Sequence, residues 1–189
     1  MIDPATDRVV SHFVLPLDTP TGVVADRRGA WVAGDLEGVA HLVKGSPVHA
    51  NRILVRGQRG AVEDVLLSEG SLWASGTMVD ASDRSAGTGF VARLSSSTGR
   101  VLGIAVLPEP FLSLATTNDG LWATNGWGRL YQVKAVGENG VRVDPQRLLG
   151  MRDVFAIHGS GGYLWFLVGT SRALTGLDPV TGATASYSF

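Results

Sequence analysis

Gly70-Ser71-Leu72-Trp73 returns as Gly120-Leu121-Trp122, again as Gly162-Tyr163-Leu164-Trp165, and in shorter form as Gly29-Ala30-Trp31. Each copy places a turn glycine two or three positions ahead of a tryptophan, and the four tryptophans stand 42, 49 and 43 residues apart. A second marker recurs out of phase with the first. Asp3-Pro4-Ala5-Thr6-Asp7 reappears as Ser96-Ser97-Thr98-Gly99 and as Asp178-Pro179-Val180-Thr181-Gly182, and 175 residues separate Asp3 from Asp178. Both markers agree on one period of about 44 residues, so the chain is an internal repeat.

The content of each period is β. Twenty-five glycines break the chain too often for helices of ordinary length. Between them lie short β-branched and aromatic runs such as Val9-Val10, Trp31-Val32, Ile53-Leu54-Val55 and the stretch 163–168. Runs of this kind, bounded by Gly, Asp, Asn and Pro, are strands joined by tight turns. No stretch carries a 3.6-residue apolar period free of glycine, which excludes a helical solenoid. Four short strands in about 44 residues have the size of one β-propeller blade. Aligned copies place inner strands at 22–25, 62–67, 112–116 and 154–158, each followed by its tryptophan strand. Third strands follow at positions such as 39–43 and 129–133, and outer strands at 52–55, 100–107 and 141–148. A four-stranded sheet has two faces to cover, and stacking it against its neighbours covers both, with tryptophan filling the wide part of the wedge.

The expected fold is therefore all-β, a row of four-stranded antiparallel propeller blades spanning approximately 17–56, 57–107, 108–148 and 149–189. Residues 1–16 then read as the outer strand of a preceding blade. Five outer strands against four inner ones suit the C-terminal part of a larger propeller of about six to eight blades. A closed four-bladed ring with one spare strand is the alternative.

The residues already quoted also carry a family resemblance over essentially the whole chain. Asp-Pro-x-Thr-Gly, a valine-rich strand, Leu-Pro, a small-residue inner strand and Gly-x-Leu-Trp in succession resemble the NHL and YVTN class of propeller repeats, and within it the streptogramin (virginiamycin B) lyase-like group. WD40-like propellers share the architecture. The resemblance implies the fold. It implies no single activity, because this blade grammar serves enzymes, sensors and scaffolds alike. The streptogramin lyases act through histidine and glutamate with a divalent metal, and no residue of this chain matches those positions one by one.

Composition narrows the function classes. Hydrophobic residues make up 44% and charged residues 17%, with a net charge of −1, which offers no electrostatic attraction to nucleic acid or an anionic membrane. No apolar run approaches the roughly 18 residues of a membrane helix, and Met1 leads directly into Asp3-Pro4 with no signal-peptide pattern. There is no cysteine, so disulfides, thiolate zinc sites and cysteine nucleophiles are excluded. The compartment stays open, with an extracytoplasmic location favoured. Arginine supplies all but two of the sixteen basic residues (Lys44 and Lys134), which together with abundant Ala, Val and Gly points to a GC-rich bacterial genome.

The polar residues give few candidate sites. His12, His41, His49 and His158 are scattered and lack zinc spacing. His158-Gly159-Ser160-Gly161-Gly162 is a hairpin turn, since a nucleophile elbow needs glycine two before the serine and a phosphate loop needs Gly-Lys and a helix. Glu63 and Asp64 begin the second inner strand, and Asp153 begins the fourth beside Arg152. In a propeller these positions ring the mouth of the central channel, where oxygen ligands from several blades converge. Solvated acids, with Arg152 paired to Asp153, are the plainer expectation.

The loop 77–88 of blade two is the main departure from the repeat, and its Asp80 lies in an incomplete calcium-loop pattern. Its counterpart in blade three holds the one tryptophan outside the repeat, Trp127 in Asn125-Gly126-Trp127-Gly128, a candidate ligand platform. The expected function is a non-catalytic binding or scaffold propeller that uses this loop-rich face for a protein, peptide or glycan, without a cofactor, catalytic residues or a metal of its own. The alternative is part of a metal-dependent propeller lyase or lactone hydrolase with catalytic residues partly in upstream blades.

Overall fold

The computed structural model describes every residue except 1, 4, 7, 10–11, 35–37, 44, 56, 79–87, 111–112, 151–153, 170–172 and 189. The described residues form β-strands and turns with no helix. Blade one is built from Pro20–Asp26, Gly29–Gly34, Gly38–Leu42 and His49–Asn51. Blade two follows with Gln58–Ser68, Ser71–Met78, Gly89–Ser95 and Val101–Leu107. Blade three comprises Ser113–Thr117, Gly120–Thr124, Arg129–Val136 and Gly140–Leu148. Val154–Ser160, Tyr163–Val168, Ala173–Leu177 and Thr184–Ser188 make blade four. Within each sheet the strands pair antiparallel in chain order. The first strands of consecutive blades lie side by side, so they form the inner wall of the array.

Two segments fall differently from their sequence-based placement. The fourth strand of blade one is His49–Asn51, paired with Val39–His41, and not 52–55. Leu54–Val55 instead pairs with Gln58–Arg59, adding a fifth strand beyond the first strand of blade two. The physical reason is apolar: Ile53 and Val55 leave the sheet of blade one to be buried in the wedge between blades one and two. At the N-terminus, Ile2–Asp3 and Arg8–Val9 pair with each other in a separate two-stranded ladder.

The core lies between sheets. Trp31 packs with Val65, Leu72 and Phe90 across the first junction, and Trp73 with Leu114 and Leu121 across the second. Across the third, Trp122 packs with Ile157, Leu164 and Phe166. Each blade thus offers its tryptophan face to the blade that follows. Trp31, Trp73 and Trp122 are buried, whereas Trp165 of the last blade is half-buried among Tyr163 and Tyr187. In blade one the indole also stacks on His41 at a centroid distance of 4.1 Å.

The segment around Gly159 is part strand and part turn. His158 to Ser160 pair with Tyr163 to Trp165, and the turn itself is Gly161-Gly162, both at positive φ, which glycine adopts without steric cost. Gly159 answers a different demand. A Cβ there would overlap the carbonyl oxygen of Thr116, so the inner strands of blades three and four approach closely enough to require glycine.

Candidate functional site

The first strands of the four blades are stitched together by side chains at their starts. Thr21 Oγ1 donates to the carbonyl of Val62 at 2.7 Å, joining blade one to blade two. Asp64 joins blade two to blade three, its Oδ2 accepting from Leu114 N at 2.8 Å and from Ser113 Oγ at 3.2 Å. Ser113 Oγ in turn accepts from Ile157 N at 3.4 Å, joining blade three to blade four. The other carboxylate oxygen of Asp64 accepts from Val65 N at 2.8 Å. Burial pushes the Asp64 carboxyl above the usual carboxylate range, opposed by the amides of Leu114 and Val65 and by Ser113. Asp64 is therefore a partly buried clamp between sheets.

Its neighbour Glu63 is the extra residue of a β-bulge, because the ladder passes from Val62 opposite Gly76 directly to Asp64 opposite Ser75. Equivalent register shifts occur in the first strands of blade one, between Pro20 and Gly22, and of blade four, between Val154 and Ala156. Bulges of this kind re-aim a side chain at the rim of a sheet. Among the described residues no group of three or more His, Cys, Asp or Glu converges to hold a metal ion. Arg152, Asp153 and Asp80 lie outside the described residues.

Trp127 stands at the same end of the blades as these strand starts, in the loop between the second and third strands of blade three. Its side chain is 55% exposed, whereas Asn125 two residues earlier is 0% exposed. The loop is held from inside by Asn125. Its Oδ1 accepts from Trp127 N at 3.1 Å and from Arg129 N at 2.9 Å, and its Nδ2 donates to Glu109 Oε2. Tyr131 Oη donates to the same Glu109 oxygen at 3.2 Å, and Arg129 Nε lies 3.2 Å from the other. Burial raises the Tyr131 phenol above its ordinary range, and the Glu109 carboxylate raises it further, so Tyr131 stays a neutral donor.

The loop is also bound to the connection entering blade four. Gly128 O accepts from Leu149 N at 2.8 Å, and Gly126 O accepts from Val154 N at 3.3 Å. The result is an exposed indole on a backbone fixed from two sides, with an ion pair beside it.

The sequence pointed to Trp127 and missed what holds it. Glu109 sits between two prolines in Pro108-Glu109-Pro110, outside the repeated motifs. An isolated carboxylate in an otherwise apolar connection, followed by Asn-Gly-x-Gly in the next loop, is the signal that was available.

No family model matches the sequence, and neither does any curated protein. Solved structures do match. A catalytically inactive virginiamycin B lyase from Staphylococcus aureus with quinupristin aligns with a TM-score of 0.64 at 15% identity, over 93% of this chain and 58% of that one. The RRP9 WD40 repeats align with a TM-score of 0.66 at 15% identity, over 93% and 52%. A chain of a nidogen/laminin complex aligns with a TM-score of 0.62 at 13% identity, over 92% and 65%. The chain thus spans between about half and two thirds of each of these structures. At such identities the likeness is one of fold, which a lyase shares with WD40 repeats and with a chain of the nidogen/laminin complex. What the chain has in common with all three is the β-propeller repeat, of which it contains four blades.

Proposed function

We propose that this chain is a non-catalytic binding propeller whose ligand, a protein, peptide or glycan, docks on the face carrying Trp127. The observation that supports it is the contrast between the exposed indole of Trp127 and the buried Asn125 that fixes its backbone. A large aromatic surface that is already immobile loses little conformational entropy on binding, which is the property of an interface anchor. The adjacent Arg129–Glu109 pair supplies a charged rim that orients a polar partner. Sugar rings and proline or aromatic side chains both stack on an indole, so the class of ligand follows from what else the face offers. The nidogen/laminin alignment adds that a propeller of this general shape occurs in a complex between proteins.

Probing the purified chain on oligosaccharide and peptide arrays, in parallel with Trp127→Ala, tests the proposal. Hits that vanish in Trp127→Ala while the thermal midpoint stays within a degree or two support it. Hits indifferent to Trp127→Ala, or no hits on either array, overturn it.

A further inference from the structure

The ion pair beside Trp127 is unequally exposed. The side chain of Arg129 is 53% exposed and that of Glu109 is 18% exposed, at a separation of 3.2 Å. Glu109 is also the more heavily engaged partner. Its Oε2 accepts from Asn125 Nδ2 and from Tyr131 Oη, and its Oε1 faces Arg129 Nε. A carboxylate surrounded by three such donors has little capacity left for a ligand. Arg129 meets it through Nε, and the Tyr131 hydroxyl takes a further hydrogen bond from the same guanidinium. A guanidinium carries several N–H donors in one rigid plane, so anchoring it from within leaves outward donors for another acceptor. The pair is neutral as a sum, yet what it presents to solvent is the cation.

Trp127 and Arg129 are held in one frame. Their backbone N–H groups both donate to Oδ1 of Asn125, at 3.1 and 2.9 Å, and Asn125 is fully buried. The carbonyls of Gly126 and Gly128, on either side of Trp127, accept from Val154 N and Leu149 N. An aromatic ring and a cation mounted on backbone so closely fixed ask for a ligand whose flat apolar face and anion belong to one small unit. A hexuronate has this construction: the C–H groups of its ring make a stacking face, and its carboxylate is bonded directly to that ring. A peptide would bring the two groups on separate rotatable side chains and would lose more conformational entropy in ordering them. A neutral sugar would leave the guanidinium without a charge to meet.

We infer, on the reading that Trp127 anchors a ligand, that this ligand is an acidic glycan: a uronate ring stacks on the indole and its carboxylate meets Arg129. Guanidinium–carboxylate hydrogen bonds are charge-assisted and directional, so Arg129 selects acidic sugars over neutral ones. Glu109 and Tyr131 are positioning residues that fix the guanidinium from behind. Because the cation is exposed, salt screens the attraction.

Isothermal titration of the chain with oligogalacturonate, oligoglucuronate and oligomannuronate, each beside its methyl ester, tests the assignment, with a peptide array run in parallel. Esterification keeps the ring and removes the charge. At least one acid should bind, and its ester should bind ~10-fold or more weakly, the loss expected for a hydrogen bond to a charged group. Arg129→Gln should lose a similar factor for the acid and no longer distinguish acid from ester, whereas Trp127→Ala should weaken both forms. Binding of the acid should also weaken as salt is raised. Acid and ester bound alike, or a Trp127-dependent hit indifferent to Arg129→Gln, overturns the acidic class and leaves the docking face standing. Trp127-dependent binding confined to peptides overturns the glycan in the same way. No Trp127-dependent binding to any probe overturns the docking face and the ligand class together. The thermal midpoint checks that Arg129→Gln is folded, and should it unfold, the acid–ester comparison on the wild type decides.

Discussion

Asp64 places a carboxylate between two sheets at a position that is Gly22, Ser113 and Ala156 in the other blades, and its titration is readable in stability. Its ordinary value is 3.8 and burial raises it in the folded chain. A carboxyl whose folded pKa lies above its unfolded one contributes most below the unfolded value, and that contribution is lost as pH rises through the folded pKa. The unfolding free energy of the wild type relative to Asp64→Asn should therefore fall as pH rises above 3.8 in urea titrations. A difference that grows with pH would mean that the hydrogen bonds from Leu114, Val65 and Ser113 outweigh burial. Asn125 gives a second test at this scale. Asn125→Ala leaves the amides of Trp127 and Arg129 without their acceptor and Glu109 without its donor, and should cost about 1–3 kcal/mol in denaturant unfolding. Trp127→Ala, truncating an exposed side chain, should cost far less. Trp127 was legible from sequence because it broke the repeat. The roles of Asp64 and Glu109 were not, because each acts on partners 16 to 50 residues away that only the stacking of blades brings near.

At the level of single elements, the tryptophan strand organises each blade. Trp122 is buried against blade four, and Trp122→Ala should cost about 3–5 kcal/mol. Trp165 occupies the same register but is only half-buried, beside Tyr163, Tyr187 and Gly176, so Trp165→Ala should cost less than half as much. Equal costs, measured as shifts in urea midpoint at constant slope, would show that register and not burial sets the contribution. The tryptophan spacing made these strands legible in advance. The fourth strand of blade one was not, because Ile53-Leu54-Val55 looks like a strand in any local reading. The side chains of Ile53 and Val55 serve the wedge between blades, and the ladder of blade one is taken by the less β-prone His49–Asn51. Burial outweighs local propensity here. In the same way, the glycine at 159 reads as turn from sequence, while its cause is the Thr116 backbone of the neighbouring blade.

For the whole molecule, each blade touches only its neighbours, so stability is close to a sum of blade terms and junction terms. Among the described residues, blades two and three take part in two junctions each, and blades one and four in one. Under conditions that keep the chain monomeric, native-state hydrogen exchange should show greater protection in Ser71–Met78 and Gly120–Thr124 than in Gly29–Gly34 and Tyr163–Val168. Uniform protection along the chain would require cooperativity beyond nearest neighbours. The period of about 44 residues made this linear organisation legible. The attachment of the 126–128 loop to blade four adds a thermodynamic linkage. Leu149 and Val154 hold the backbone under Trp127 only while blade four is folded and docked on blade three. A molecule that engages the indole and needs that backbone in place therefore draws on the folding equilibrium of blade four, and by reciprocity must strengthen it by the same factor.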